Sequence, residues 1–423
     1  MSFENPLENP FEKSAASLSA SQSVSDSQSE RFPYAALFAR LGAELDARPG
    51  QRLELWWSEV ETFACSHCGM SCRRPWQVRV SRSYVQQWAG PLAELTGLPV
   101  AQIFLPVNDP LDRQAWAHLG KKPGSDDCIL YDEAGFCRMH RRWGAEAKPE
   151  MCRAYPFAGR QQPDYQVPAL ALSCTRAARM ISEPQQLSYR FMPSGRPSRL
   201  QGVNLAPGRR LSRAAWLLWT GRLFDGLNTA GGFGAWLAGV ATALSTLLAL
   251  PAAELQPADL AALPLGASLS PLAPAAEAEL LAWLAATLGP IPALEPLLAW
   301  CASAPPLQLT PEESVALENY LRAYWLRQLL LPAQLLRGEL NLVQQMLLTG
   351  VQGSLLRLWA LYLRDPGPLS LDHLAEAANQ VSLLVARDHA PDARRSWSEL
   401  GTDVCLQRLQ ALASWQTGQP QAS

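Results

Sequence analysis

Residues 65–72 read CSHCGMSC: two cysteines separated by two residues, then a third after three more. One short turn can aim two thiols so spaced at a single metal, and Cys72 adds a third from the same loop. Working outward, four further cysteines follow at Cys128, Cys137, Cys152 and Cys174, whereas Cys301 and Cys405 stand apart. A free cysteine is usually a small buried hydrophobe. That reading suits Cys301, in a Leu/Ala/Trp helix context, and Cys405 equally well. It suits the other seven poorly, because Ser66, His67, Arg73, Arg74, Asp127, Arg138 and Arg153 surround them in the chain. The N-terminal residues show no basic segment followed by an apolar one, so a cytoplasmic, reducing compartment is expected. Clustered thiols there read as metal ligands before they read as disulfides.

Cys65, Cys68, Cys72, Cys128, Cys137, Cys152 and Cys174 are therefore the candidate metal ligands. Seven thiols exceed what one four-cysteine zinc site or one [4Fe–4S] cluster needs. Two metals bind, or some of the thiols play another part. An all-sulfur donor set with thiols to spare favours an iron–sulfur cluster, with zinc as the alternative and His67 or His140 available to complete it. The cysteine spacing of radical S-adenosylmethionine enzymes, x3 then x2, is absent, since the order here is reversed. Arginines interleaved with the thiols would offset thiolate charge. Most of them read as a solvated face; Arg153, directly after Cys152, is the candidate cofactor-binding residue.

Beyond the cysteines the expected fold is mainly α, with α+β character in the N-terminal part. Residues 1–30 are rich in Ser, Gln and Asp and are expected to be a disordered tail. Residues 31–204 are expected to form a cysteine-cluster metal-binding domain of short strands and helices. Within it, YAALFARLGAELDA from Tyr34 has helical spacing, and Gln77 to Val80 alternates like a strand. Ser81 suits the N-cap of a helix carrying Tyr84, Val85, Trp88 and Leu92, and DEAG at 132–135 suits a turn. From 205 to 415 Leu, Ala and Trp dominate, no alternating strand remains, and an all-helical domain is expected. Its clearest start is Thr310-Pro311-Glu312-Glu313, a capping box with proline at the first helical position, leading to Leu317, Leu321, Tyr324 and Leu331 on one face. Residues 416–423 are expected to form a second disordered tail.

The formal charge is −2 over 423 residues, so no basic field implies nucleic acid as a partner. Only Lys13, Lys121, Lys122 and Lys148 are lysines. The uncharged run 231–250 is long enough to span a bilayer, but its glycines, threonines and serine, and the lack of flanking Lys/Arg, favour a buried helix and no membrane partner.

Several segments together resemble known families. CSHCGMSC resembles the CxxCxxCC signature of the YkgJ-type cysteine-cluster family of zinc- or iron-chelating proteins, and KPEMCRAYPF (148–157) resembles its RPxxCRxYPF block. Within that group the chain is more similar to flagellin lysine-N-methylases of the FliB type. Trp76-Gln77-Val78 with Tyr84, the CxxxDExGxC-like block from Cys128 to Cys137, LSCTRAAR (172–179) and Glu318-Asn319-Tyr320-Leu321 carry that likeness in order. Ser71 replaces one cysteine of the usual doublet, Thr175 replaces proline, and Phe157 stands where the methylases carry arginine. The resemblance implies methyl transfer from S-adenosylmethionine to lysine amines of a protein substrate, flagellin, with an iron–sulfur centre. Tyr155 and Tyr320 are the candidate catalytic residues, as groups able to act on a lysine amine. No glycine-rich strand-to-helix loop of the Rossmann kind is present; Gly231-Gly232-Phe233-Gly234 follows no strand pattern. The competing expectations are a non-enzymatic zinc- or iron-binding protein and a redox-sensing module.

Overall fold

The structure is a computed structural model that describes residues 22–23, 34–48, 50–66, 68–74, 76–107, 116–132, 134–161, 165–193, 202–230, 232–260, 263, 295–303, 309–330, 340–364, 367–387 and 400–417. In chain order its first half contains β1 (Gln22–Ser23), α1 (Tyr34–Asp46), β2 (Gln51–Trp57), α2 (Glu59–Thr62), β3 (Arg79–Val80), α3 (Arg82–Thr96), α4 (Val100–Ile103), β4 (Phe104–Pro106) and β5 (Ala117–Leu119). Then come α5 (Arg138–Trp143), α6 (Glu150–Ala154), β6 (Phe157–Gln161), β7 (Tyr165–Leu170), α7 (Thr175–Met180) and β8 (Leu187–Pro193). The second half contains β9 (Val203–Ala206), β10 (Arg209–Leu211), α8 (Arg213–Thr229), α9 (Phe233–Ala249), β11 (Glu254–Leu255) and α10 (Pro257–Leu260). It ends with α11 (Glu295–Ser303), α12 (Pro311–Leu330), α13 (Leu342–Arg364), α14 (Leu371–Arg387) and α15 (Thr402–Thr417). The fold is mainly α with short strands, as expected.

The chain forms two compact units, and their make-up differs from the expected split at residue 204. The smaller unit takes Thr62–Ala158 and Leu170–Ala177; the larger takes Ser21–Glu61, Gly159–Ala169 and Ala178–Ser423. Residues 34–61 and 178–204 thus belong with the helices. The reason lies in pairing: β2 runs antiparallel to β8, with Gln51 opposite Pro193 and Trp57 opposite Leu187. Apart from Gln22–Ser23, which pair with β8, and the backbone of 416–417 in α15, the expected disordered tails lie outside the described residues, as does Leu331.

In the larger unit the sheet order is β1-β8-β2-β7-β6, with β7 parallel to β2. Its central strand buries Glu54 against Arg190 of β8. Helix α1 packs on α8, where Gly221 admits the backbone of Tyr34; a Cβ there would lie 2.6 Å from the Tyr34 carbonyl oxygen. Asp225 of α8 accepts the Tyr34 and Ala35 amides at 2.7 and 2.9 Å, satisfying donors that the start of α1 leaves open. Helix α13 is buried almost all round by α12, α14 and α15, as befits a central core helix. Among the described residues it alone is long and apolar enough to cross a membrane, and its side chains are covered within the unit. The uncharged run 231–250 forms α9, 17 residues long and mostly buried.

One expectation for the second half fails. Strands β9, β10 and β11 form a small sheet where only helices were expected. Pro207-Gly208 closes the β9–β10 turn, with Gly208 at φ +73°, and proline followed by a left-handed glycine is the pattern of a type II turn.

The smaller unit has a three-stranded sheet, β3-β5-β4, flanked by α3. Ser81 caps α3 through its side chain, accepting the Tyr84 amide at 3.2 Å, as its position suggested. Only Arg79–Val80 of the expected 77–80 strand is regular. Val80, Leu92, Ile103, Phe104, Leu119 and Met139 make the core, and Cys128, Cys137 and Cys152 pack against it.

Candidate metal centre

The first thiols depend on one glycine. Gly69 adopts φ +68° and opens a 3-10 turn, Met70–Arg73, in which the Cys72 amide donates to the Gly69 carbonyl at 2.9 Å. The Cys128 amide then donates to the Cys72 carbonyl at 2.7 Å, tying the loop to the next segment. That segment turns at Asp132, whose carboxylate accepts the Phe136 amide at 2.9 Å, and a bridge between Tyr131 and Cys137 closes it. Cys137 sits at the N-cap of α5, and Cys152 lies within α6. Cys174 directly precedes α7, where its sulfur accepts the Arg176 and Ala177 amides.

These segments bring all seven candidate thiols onto one cavity of about 170 Å³ in the smaller unit. That is more than ten times the roughly 10–15 Å³ one enclosed water needs. Of the seven, Cys65 and Cys68 are exposed, Cys72, Cys128, Cys137 and Cys152 half-buried, and Cys174 buried. Phe63, Trp76, Leu119, Leu130 and Met151 give the cavity an apolar lining. Among the described residues no three side chains of His, Cys, Asp or Glu close round a single ion. The donors instead line the wall of a larger space. Thiols on a multi-atom cavity fit a sulfide-bridged cluster, whose irons each need one outside ligand.

Burial, and after it the neighbouring Cys128 and Cys137, pushes the Cys72 thiol from an ordinary 9.0 up to about 12. Burial also raises Cys128, Cys152 and Cys174. Without a metal these thiols hold their protons at neutral pH, so a metal binding them must displace protons. Lys121 and Lys148 oppose the shift and line the cavity. Lys121 is fixed there by donating to the Arg74 and Asp126 carbonyls, each at 2.6 Å.

The arginines singled out in the sequence serve elsewhere. Arg153 is not part of the cavity wall; its guanidinium pairs with Glu146 at 2.9 Å. Arg141 pairs with Asp132 and Arg73 with Asp127. The cations on the cavity are Lys121, Lys148 and Arg176, so two of the chain's four lysines stand at its thiol cluster. Lysine scarcity was the available signal for them.

Tyr155 lines the cavity, edge-on to Trp76 at 4.9 Å and 3.3 Å from the Ser173 hydroxyl. Burial raises its phenol, so at neutral pH it is a protonated hydrogen-bonding group and not a base. Tyr320 belongs to the larger unit, where it is 2% exposed and donates to the Ala178 carbonyl at 2.7 Å. It reads as a core tyrosine. His140 lines the cavity, whereas His67 lies outside the described residues. Cys405 is buried in α15, away from the thiol cluster in sequence and unit, and the Cys301 side chain lies outside the description.

Neither protein families, nor curated proteins, nor solved structures give a match to this chain.

Proposed function

We propose that the chain is a cysteine-cluster metalloprotein whose smaller unit holds an iron–sulfur centre, and that it acts as a protein-lysine N-methyltransferase on a substrate such as flagellin. The convergence of seven cysteines on one cavity carries the metal reading. When bound, such a centre supplies thiolate-held, Lewis-acidic and redox-active iron. The chain's own residues do the rest. Lys121 and Lys148 offset thiolate charge, and Phe63, Trp76, Leu119 and Leu130 make much of the lining apolar. An apolar site also favours the neutral form of a lysine amine, which is the form that attacks a methyl donor. The Tyr155 hydroxyl oxygen can accept an N–H of such an amine and leave its lone pair free.

The methyl donor finds less support. Gly232 opens α9, but the Phe233 amide there is already taken by the Glu318 carboxylate at 3.0 Å. No described strand leads into that helix as a nucleotide cradle requires. This observation favours a second reading, a non-enzymatic zinc- or iron-binding protein, and no methyl-transfer step is assigned to named residues.

Anaerobic purification with a visible spectrum and iron, sulfide and zinc analysis tests the centre. Brown absorbance with matching iron and sulfide is expected. Cys152→Ser should abolish it, and Cys405→Ser should leave it intact. A colourless protein with stoichiometric zinc would overturn the cluster. Calorimetric titration of the cluster-loaded chain with S-adenosylmethionine then separates the two readings, since absence of donor binding removes the methylase.

A further inference from the structure

Two contacts made by α12 fall where the chain passes between the units. Among the described residues the first passage is from Glu61 to Thr62, three residues before Cys65. Glu59, just before it, is held by Arg327, whose Nε lies 2.8 and 3.0 Å from the two carboxylate oxygens and whose Nη2 also donates to one of them. Arg327 is fixed in turn by donating to the Ala323 carbonyl at 2.7 Å and by lying over the Trp57 ring. The last passage is from Ala177 to Ala178, within α7, the helix that Cys174 precedes. A helix leaves its last four carbonyls without partners of its own. In α7 one of these, on Ala178, accepts the Tyr320 hydroxyl at 2.7 Å. Tyr320 and Arg327 are seven residues apart, two turns of α12, and so share one face. That face holds the chain before it runs to Cys65 and after it leaves Cys174.

We infer that Tyr320 and Arg327 are positioning residues of the metal centre. Tyr320, through Ala178 and α7, sets the Cys174 thiol; Arg327, through Glu59, sets the start of the segment that carries Cys65 and Cys68. This rests on reading the thiol cavity as a metal centre, and neither residue lines that cavity. Packing alone calls for neither polar group. Phenylalanine would fill the space of Tyr320, whose hydroxyl makes its hydrogen bond among the described residues to α7. A buried ion pair is often no more stabilising than apolar residues of the same size, and here it fixes one arrangement of the chain. Transmission is short. Helix α7 has six residues, so Ala178 and Cys174 lie about one helical turn apart. Ala177 and Ala178 are fully buried, the Cys174 amide donates to the Ala171 carbonyl at 2.9 Å, and the Ala171 amide to the Pro156 carbonyl at 2.7 Å. Cys174 therefore has little room to move except with its helix.

The full chain, purified anaerobically with its cluster, is compared with three variants. These are Tyr320→Phe, the double variant Glu59→Met with Arg327→Met, which leaves no unpaired charge in the core, and Tyr324→Phe. Electron paramagnetic resonance of the dithionite-reduced chain and the rate of bleaching in EDTA are read beside urea unfolding. Tyr320→Phe and the double variant should each alter the g values and bleach about fivefold faster, the effect of one lost hydrogen bond. Tyr324→Phe, which removes a buried hydroxyl one turn along the same helix, should match wild type in both. An unchanged signal and bleaching rate in Tyr320→Phe overturns the role of Tyr320, and the same result in the double variant overturns that of Arg327. Changes that Tyr324→Phe reproduces at equal loss of urea stability overturn both, because lost stability alone then accounts for them. If the double variant does not fold, Arg327→Lys, which keeps the charge without the fork, takes its place. If the wild type carries zinc, Co2+ in its place reads the same geometry by its visible bands. A wild-type chain that binds neither iron nor zinc sinks the metal reading itself, and this inference with it.

Discussion

Gly69 shows how much of the centre turns on single residues. At φ +68° a side chain is strained, and a Cβ would lie 2.5 Å from a Tyr131 ring carbon and 2.7 Å from its hydroxyl. Tyr131 forms the bridge that closes the Cys128–Cys137 segment, so the clash falls between two thiol-bearing loops. Gly69→Ala should reduce iron per chain by more than half while far-ultraviolet circular dichroism stays near wild type. Full iron occupancy in the variant would contradict this role. The seven thiols were legible in the sequence because spacing and polar neighbours set them apart. Lys121 and Lys148 were not, since nothing local links them to cysteines that approach them only through folding. Arg153 shows the converse: adjacency in sequence to Cys152 does not put a helical side chain on the cavity, and its guanidinium pairs with Glu146.

Among the elements, the start of α12 was the most readable. Thr310 accepts the Glu313 amide at 3.2 Å and Glu313 accepts the Thr310 amide at 2.9 Å, the reciprocal pair that i, i+3 spacing foretells. The same carboxylate also accepts the Leu369 amide at 2.7 Å and receives Arg364 at 2.9 Å, partners far along the chain and hidden from local pattern. It thereby ties α12 to the end of α13 and the approach to α14. The Leu369 and Thr310 amides, then Arg364, hold its carboxyl below the ordinary 4.5. A depressed folded pKa stabilises the fold above that ordinary value, and the contribution drains away as pH falls through the lowered one. Glu313→Ala should cost about 1–2 kcal/mol at pH 7, for the lost cap and charge-assisted hydrogen bonds of a half-buried carboxylate. The gap from wild type in urea unfolding should narrow below about pH 4.5. A gap unchanged by acid would refute the linkage. Strands β10 and β11 escaped the sequence because such short segments carry too few residues for alternation to register.

For the whole molecule, the class of fold was legible from composition, and the partition was not. Leucine-rich helices announce themselves locally, whereas β2 and β8 find each other across more than a hundred residues. A fragment of residues 205–423 lacks α1, β2 and β8 and leaves bare the face of α8 that α1 covers. It should be insoluble or lack cooperative unfolding when expressed alone, and a fragment of 21–423 should not. A well-folded 205–423 would disprove the interleaving. The four passages between units among the described residues also impose an order in time. When Cys174 joins the growing chain every candidate ligand has been made, yet about 250 residues of this sequence are still to come. At bacterial-to-eukaryotic synthesis rates of about 5–20 residues per second that interval lasts roughly 12 to 50 seconds. At its start β7 has been made, but α1 still lacks α8 and β2 still lacks β8. Metal delivery in that window would meet a full set of thiols on a nascent chain, before the larger unit is complete.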